Sequence, residues 1–220
     1  MPVNIVADMP DFPGRRKAPK PRESFILGLD LGQAQDYSAL AIDQVTELPP
    51  EGDKPPKRHH AIRHLQRWPL KTSYLKILRD VAALVGKVKN PTLVIDGTGV
   101  GVAVVDLFRH GRLPGRLVSV TITAGTQTHP VDGGYSVAKK ELVSSIQAAI
   151  QTRRLQVAPL LDEAATLKQE LALFRSKVST ATGHESFEAL RERDHDDLVL
   201  AVALAVWFGE RGNRRVAVFA

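Results

Sequence analysis

Three acidic positions stand where an acid is expensive. Asp30 lies inside Phe25-Ile-Leu-Gly-Leu-Asp-Leu-Gly32, an apolar run closed by a glycine. Asp96 ends Leu93-Val-Ile-Asp and is followed by Gly97. Asp194-His195-Asp196-Asp197 opens the apolar stretch from Leu198 to Phe208. A buried charge without a partner is strongly unfavourable, so acids in such settings need a reason. Carboxylate oxygens are the ligands of hard divalent cations such as Mg²⁺ and Mn²⁺. Two such ions about 4 Å apart can stabilise both the attacking and the leaving oxygen of a phosphodiester displacement. That chemistry needs one bridging carboxylate and at least one more for each ion. Asp30 is the natural bridge, Asp96 would join it from a neighbouring strand end, and Asp197 from a helix start facing both, with Asp196 adjacent.

Each acid also has a plainer explanation. Asp96-Gly97 can be a turn, and the acids at 194–197 can complement a helix dipole. Singly, those explanations outweigh ligation. Together they explain less, because an Asp within Ile-Leu-Gly-Leu-Asp-Leu has neither a turn nor a cap to account for it.

Other residues surround these acids. Gly97-Thr-Gly-Val-Gly101 can cradle a phosphate through backbone N–H groups at a helix start, or pack a helix against a strand. Gly97 is given to the site and Gly101 to packing. The glycines are not spaced as in a dinucleotide-binding turn, and no Gly-x₄-Gly-Lys-Ser/Thr sequence occurs. Lys139-Lys140 opens a helix against its dipole, which invites a phosphate partner and equally suits a solvated lysine pair. His195 can orient a water or exchange a proton near neutral pH, or simply begin a helix.

The elements that must carry these residues follow from periodicity. Phe25–Leu31, Tyr37–Val45 and His59–Trp68 read as strands in an antiparallel meander, with a turn at Gly32–Asp36. Thr72 or Ser73 caps a helix running to about Val88, with Leu75, Leu78, Ala82 and Val85 on its apolar side. Thr92–Ile95 is a strand delivering Asp96, a helix runs to His110, and Leu117–Thr123 is another strand. Ser136 is expected to start a helix to Arg153. Leu155-Gln-Val157 is too short to assign, Leu160–Phe174 is an amphipathic helix, Lys177–Ala189 a hairpin, and Asp196–Glu210 the last helix. The order implies an α/β fold: a mixed sheet, antiparallel meander plus parallel strands, with helices on both faces. In such sheets sites lie at the carboxyl ends of strands, where Asp96 falls.

Composition bounds the rest. The 220 residues are 43% hydrophobic and 25% charged, enough for one domain with a full core. Residues 1–24, rich in proline and basic residues, read as a flexible arm or linker, 25–210 as the domain, and 211–220 as a basic tail. No apolar run reaches the roughly 18 residues of a membrane span, and the N-terminus lacks a signal-peptide core. With no cysteine, thiol catalysis, disulfides and cysteine-ligated zinc are excluded. The net charge of +6 suits a polyanionic partner, nucleic acid first, and is also an ordinary excess for a soluble protein.

With these residues assembled, the chain resembles the nuclease domain of the large terminase subunit of tailed bacteriophages, a member of the ribonuclease H-like superfamily. Gly28-Leu-Asp-Leu-Gly-Gln-Ala-Gln-Asp-Tyr-Ser-Ala39 resembles its first acidic strand and hairpin. Val94-Ile-Asp-Gly-Thr-Gly-Val-Gly101 with Val104-Val-Asp-Leu resembles its second motif, Lys139-Lys-Glu-Leu-Val143 its lysine-led helix, and His195-Asp-Asp-Leu-Val-Leu-Ala-Val-Ala-Leu-Ala205 its terminal helix. The likeness spans about Phe25 to Gly209. It implies a metal-dependent endonuclease that cuts concatemeric viral DNA during packaging, using Mg²⁺ or Mn²⁺, as a pair of ions, on Asp30, Asp96 and Asp197, with Asp196 sharing the role and Asp194 outlying. It also implies double-stranded DNA, a packaging ATPase, a small terminase subunit and a portal as partners, no membrane, and the cytoplasm of a bacterial host. In the family an ATPase motor precedes the nuclease; here a basic arm does. The alternatives are a Holliday-junction resolvase of the same superfamily and a non-enzymatic DNA-binding module. An actin-like ATPase, suggested by Gly28-Leu-Asp-Leu-Gly32, would need duplicated domains and a longer chain.

Overall fold

A computed structural model describes residues 20–32, 36–99, 102–111, 113–180 and 196–212. Its centre is an eight-stranded mixed sheet in the order β6-β7-β5-β4-β1-β2-β3-β8. The strands β1 (Arg22–Asp30), β2 (Ser38–Glu47) and β3 (Arg58–Trp68) form the expected antiparallel meander. Beyond β1 the sheet continues with parallel β4 (Pro91–Asp96), β5 (Arg116–Thr123) and β7 (Gly134–Ala138). Short β6 (His129–Val131) pairs antiparallel with β7, and β8 (Leu155–Val157) lies parallel to β3 at the other edge.

Strand alternation splits the core into two layers. Leu27, Leu29, Leu40, Ile42, Leu93 and Ile95 pack on one face, with α1 (Tyr74–Val85) and α2 (Val102–His110) supplying Ile77, Val81, Val85 and Phe108. Ile26, Ala39, Ala41, Val94 and Val118 pack on the other, under α3 (Lys139–Gln151), α4 (Ala164–Thr180) and α5 (Asp197–Arg211). Helices therefore cover both faces, as the βαβ crossovers require.

The last helix organises the second layer. Every residue from Leu198 to Gly209 except Leu200 is buried, which is what a helix apolar on all sides demands. It lies directly on β1 at Gly28, where a Cβ would stand 2.0 Å from the Ala201 carbonyl oxygen and 2.9 Å from the Ala205 nitrogen. Toward the start of the strand, a Cβ on Gly209 would meet Ile26 Cδ1 at 3.3 Å. The helix thus runs against β1, its N-terminus over the strand's carboxyl end. No helix of the described residues is long and apolar enough to cross a membrane.

Three expectations are corrected. The helix expected from Ser136 begins at Lys139, because Gly134–Ala138 pairs with β5 and a Cβ at Gly134 would sit 1.9 Å from the Ser119 carbonyl oxygen. In α1, capped by Ser73 as read, the buried stripe is Ile77, Val81 and Val85, while Leu75 is exposed. The hairpin expected from Lys177 is contradicted at its start, since α4 runs through Thr180; residues 181–189 lie outside the described residues.

Candidate active site

The carboxyl ends of β1 and β4 bring the first two acids together. Leu29 pairs with Ile95 across these parallel strands, so Asp30 and Asp96, one residue on, are neighbours on strands about 4.8 Å apart. Alternation puts Asp30 on the same face as Gly28, toward α5. Asp197, one helical turn before Ala201, then falls over that strand end. Thus Gly28, which lets helix and strand backbones touch, is what brings two acids 167 positions apart in sequence to the same strand end.

Burial and charge make the cluster costly. Asp30, Asp96 and Asp197 are all buried. Burial pushes the Asp30 carboxyl well above the ordinary carboxylate range, and the charges of Asp96, Asp197, Asp196 and Asp36 push it further. Asp197 is raised to about 7 by burial, then by Asp196 and Asp36, against the pull of Arg67 and of its own backbone N–H. Asp96 Oδ1 accepts the Thr98 N–H at 2.8 Å, closing a local turn, and Thr98 Oγ1 accepts the Ile122 N–H at 2.7 Å. Asp196 holds the N-cap position of α5 without a side-chain capping bond, and its Oδ2 stands 3.8 Å from Lys139 Nζ. Lys139 therefore meets the acid cluster from α3.

Gly97 is held by packing. Its N–H donates to the Val120 carbonyl at 2.8 Å, and a Cβ there would press on Val105 Cγ2 at 3.0 Å. Asp194, His195 and Gly101 lie outside the described residues.

Three residues near these acids are not singled out by the sequence as candidates. Asp36, after the first strand, adds its charge to Asp30 and Asp197. Arg67 lies with its guanidinium 4.5 Å from the centre of the Tyr37 ring and donates to Glu170 Oε1 at 3.4 Å. Glu170 is buried on α4 and accepts the Leu198 and Val199 N–H groups on Oε2, at 3.0 and 3.2 Å. Burial and the Asp197 charge raise it to about 7, against those two N–H groups and Arg67.

The donor set is all oxygen and all anionic, which fits a hard divalent cation. Among the described residues no three acids or histidines converge closely enough to ligate one ion as they stand.

The mixed sheet between two helical layers is an α/β fold, and it is shared with solved terminase nucleases. Among the solved structures similar to this chain are several of the large terminase nuclease from thermophilic phage G20c. The structure solved without a named metal is 19% identical, covers 83% of this chain and 81% of its own, and superposes with a TM-score of 0.51. The one with bound magnesium is 21% identical over 85% and 82%, with a TM-score of 0.53, and the one with bound cobalt 21% over 84% and 80%, with a TM-score of 0.50. No protein-family model matches the sequence, and no curated protein matches it.

Proposed function

We propose that the chain is a metal-dependent endonuclease that hydrolyses phosphodiester bonds of double-stranded DNA, as a terminase nuclease does in viral genome packaging. The observation that carries this reading is the meeting of Asp30 and Asp96 with Asp196 and Asp197 at one sheet end, close enough that their charges act on Asp30. Acids that destabilise one another without a cation are explained by one that neutralises them. The shared fold supports the same reading, and one solved structure of that nuclease carries magnesium.

Asp30, Asp96 and Asp197, with Asp196, would hold the cations, Mg²⁺ or Mn²⁺ and as a pair. Bound divalent cations supply Lewis acidity, neutralising charge that develops on the phosphate and easing deprotonation of the attacking water. Asp30, on β1 beside β4 and under the start of α5, would be the ligand shared between the ions. Lys139 carries a positive charge to the rim, where it would meet a backbone phosphate. Packaging ATPase, small terminase subunit and portal are the partners that accompany this activity.

Purified protein incubated with plasmid and Mn²⁺ or Mg²⁺ should nick and linearise it, and EDTA or Asp30→Asn should stop the reaction. Cleavage that survives both, or no cleavage at all, overturns the proposal. Branched DNA run alongside separates a resolvase from a terminase-type cutter.

A further inference from the structure

The first turn of a helix leaves backbone N–H groups without intrahelical acceptors. An Asp at the N-cap usually spends its side chain on them. In α5 it does not: Asp196 makes no capping bond and faces Lys139 instead. The acceptor comes from another element. Glu170 of α4 takes both the Leu198 and Val199 N–H groups on one oxygen, while its other oxygen accepts from Arg67. Arg67 is itself laid on the Tyr37 ring.

We infer that Glu170 is a positioning residue for the acid site: by capping α5 from α4, it sets where Asp196 and Asp197 stand against Asp30 and relieves Asp196 of the capping task. The inference rests on the nuclease reading. Its physical content is that a helix start fixed by a carboxylate from another element holds its acids in place without Asp196 having to turn back as the cap. A buried carboxylate held on two sides, by two N–H groups and by Arg67, fixes the helix start more firmly than a solvated cap. Residues that orient metal ligands from outside the ligand set commonly change metal affinity by about 10- to 100-fold when removed.

The test uses the full chain, with Mn²⁺ as the probe. Hydrogen exchange at the Leu198 and Val199 amides reads the cap, and calorimetric Mn²⁺ titration reads the site. In Glu170→Ala both amides should exchange faster, and the Mn²⁺ concentration for half-saturation should rise about tenfold or more. Cleavage should need correspondingly more Mn²⁺ to reach half of its maximal rate, so that the metal dependence of cleavage moves with the binding curve. Glu170→Gln, which keeps an acceptor oxygen, should restore both amides and most of the affinity. Glu170→Met, of similar volume without an acceptor, replaces Glu170→Ala if that variant does not fold. Wild-type Mn²⁺ binding in Glu170→Ala or Glu170→Met, or a Gln variant no better than either, overturns the inference alone. A wild-type chain that binds no Mn²⁺ overturns the nuclease reading and the inference with it.

Discussion

The far end of α5 is held by a buried charged chain whose strength depends on pH. Asp43 of β2 and His60 of β3 are almost completely buried, with His60 Nδ1 donating to Asp43 Oδ2 at 2.6 Å and Nε2 facing Glu210 Oε1 at 3.2 Å. Glu210, on α5, also accepts from Arg154 on the turn after α3. Arg58 donates to the Glu210 carbonyl at 2.5 Å and to Glu47 through Nε at 2.8 Å. Burial alone would lower the His60 pKa; hydrogen bonds to Asp43 and Glu210 and their charges reverse this and carry it from 6.5 to about 9. At about 1.4 kcal/mol per tenfold change in proton affinity, the ceiling is about 3 kcal/mol. Burial holds the Asp43 carboxyl above its usual range despite His60, and that cost offsets part of the gain, leaving on the order of 1–2 kcal/mol.

The sign follows from proton counting. Between 6.5 and about 9 the folded chain holds a proton on His60 that the unfolded chain has released. The contribution is therefore full below 6.5 and lost as pH rises through about 9. Glu170 and Asp197, raised to about 7, have finished titrating above about pH 8, and comparison with Asp43→Asn separates the His60 contribution from that of Asp30, whose carboxyl is also raised. Urea unfolding followed by the fluorescence of buried Trp68 and Trp207 measures it at constant ionic strength. Stability should fall by on the order of 1 kcal/mol between about pH 7.5 and pH 9.5, and Asp43→Asn should flatten that fall. A wild-type curve that is level or rising there, or an Asn variant with the same slope, refutes the reasoning.

Two further perturbations address the acid end. Gly28→Ala places a methyl against the backbone of Ala201 and Ala205, which a side-chain rotation cannot relieve. It should cost about 1–3 kcal/mol or more and abolish cleavage by displacing Asp197; a wild-type melting temperature with full cleavage would contradict this. Asp30→Asn should raise the melting temperature of the metal-free protein near pH 8. Burial and neighbouring acids raise the Asp30 pKa, so its ionised form weighs against folding at pH above its unfolded value. The gain should fade toward about pH 4, and a variant less stable than wild type at pH 8 would count against the cluster.

The comparison of Asp30 with Asp43 shows what a single sequence can reveal. Both are acids in apolar strands, Leu-Gly-Leu-Asp-Leu and Leu-Ala-Ile-Asp-Gln. One faces other acids at a strand end; the other is answered by His60 inside the sheet. The local signal is the same, and only the register of β2 against β3 distinguishes them. The meander and the strand before Asp96 were legible because apolar runs bounded by turns leave few alternatives. Strands β7 and β8 were not, since runs of only five and three residues, the first between β5 and β6 and the second at the opposite edge, take their character from pairing partners. Glu170 and Arg67 escaped notice for a related reason: their roles are contacts between elements, and no spacing along the chain encodes them.

The central claim is that one carboxylate cluster performs the cleavage. It is tested most directly by a set of single substitutions, assayed on supercoiled plasmid with Mn²⁺ alongside Mn²⁺ titration of each variant. Asp30→Asn, Asp96→Asn and Asp197→Asn should each lose at least about a hundredfold in rate, in keeping with the loss of metal charge stabilisation. Asp43→Asn, equally buried but at the other network, should cleave as wild type does. Cleavage retained in any of the first three, with Mn²⁺ still bound, would contradict the assignment.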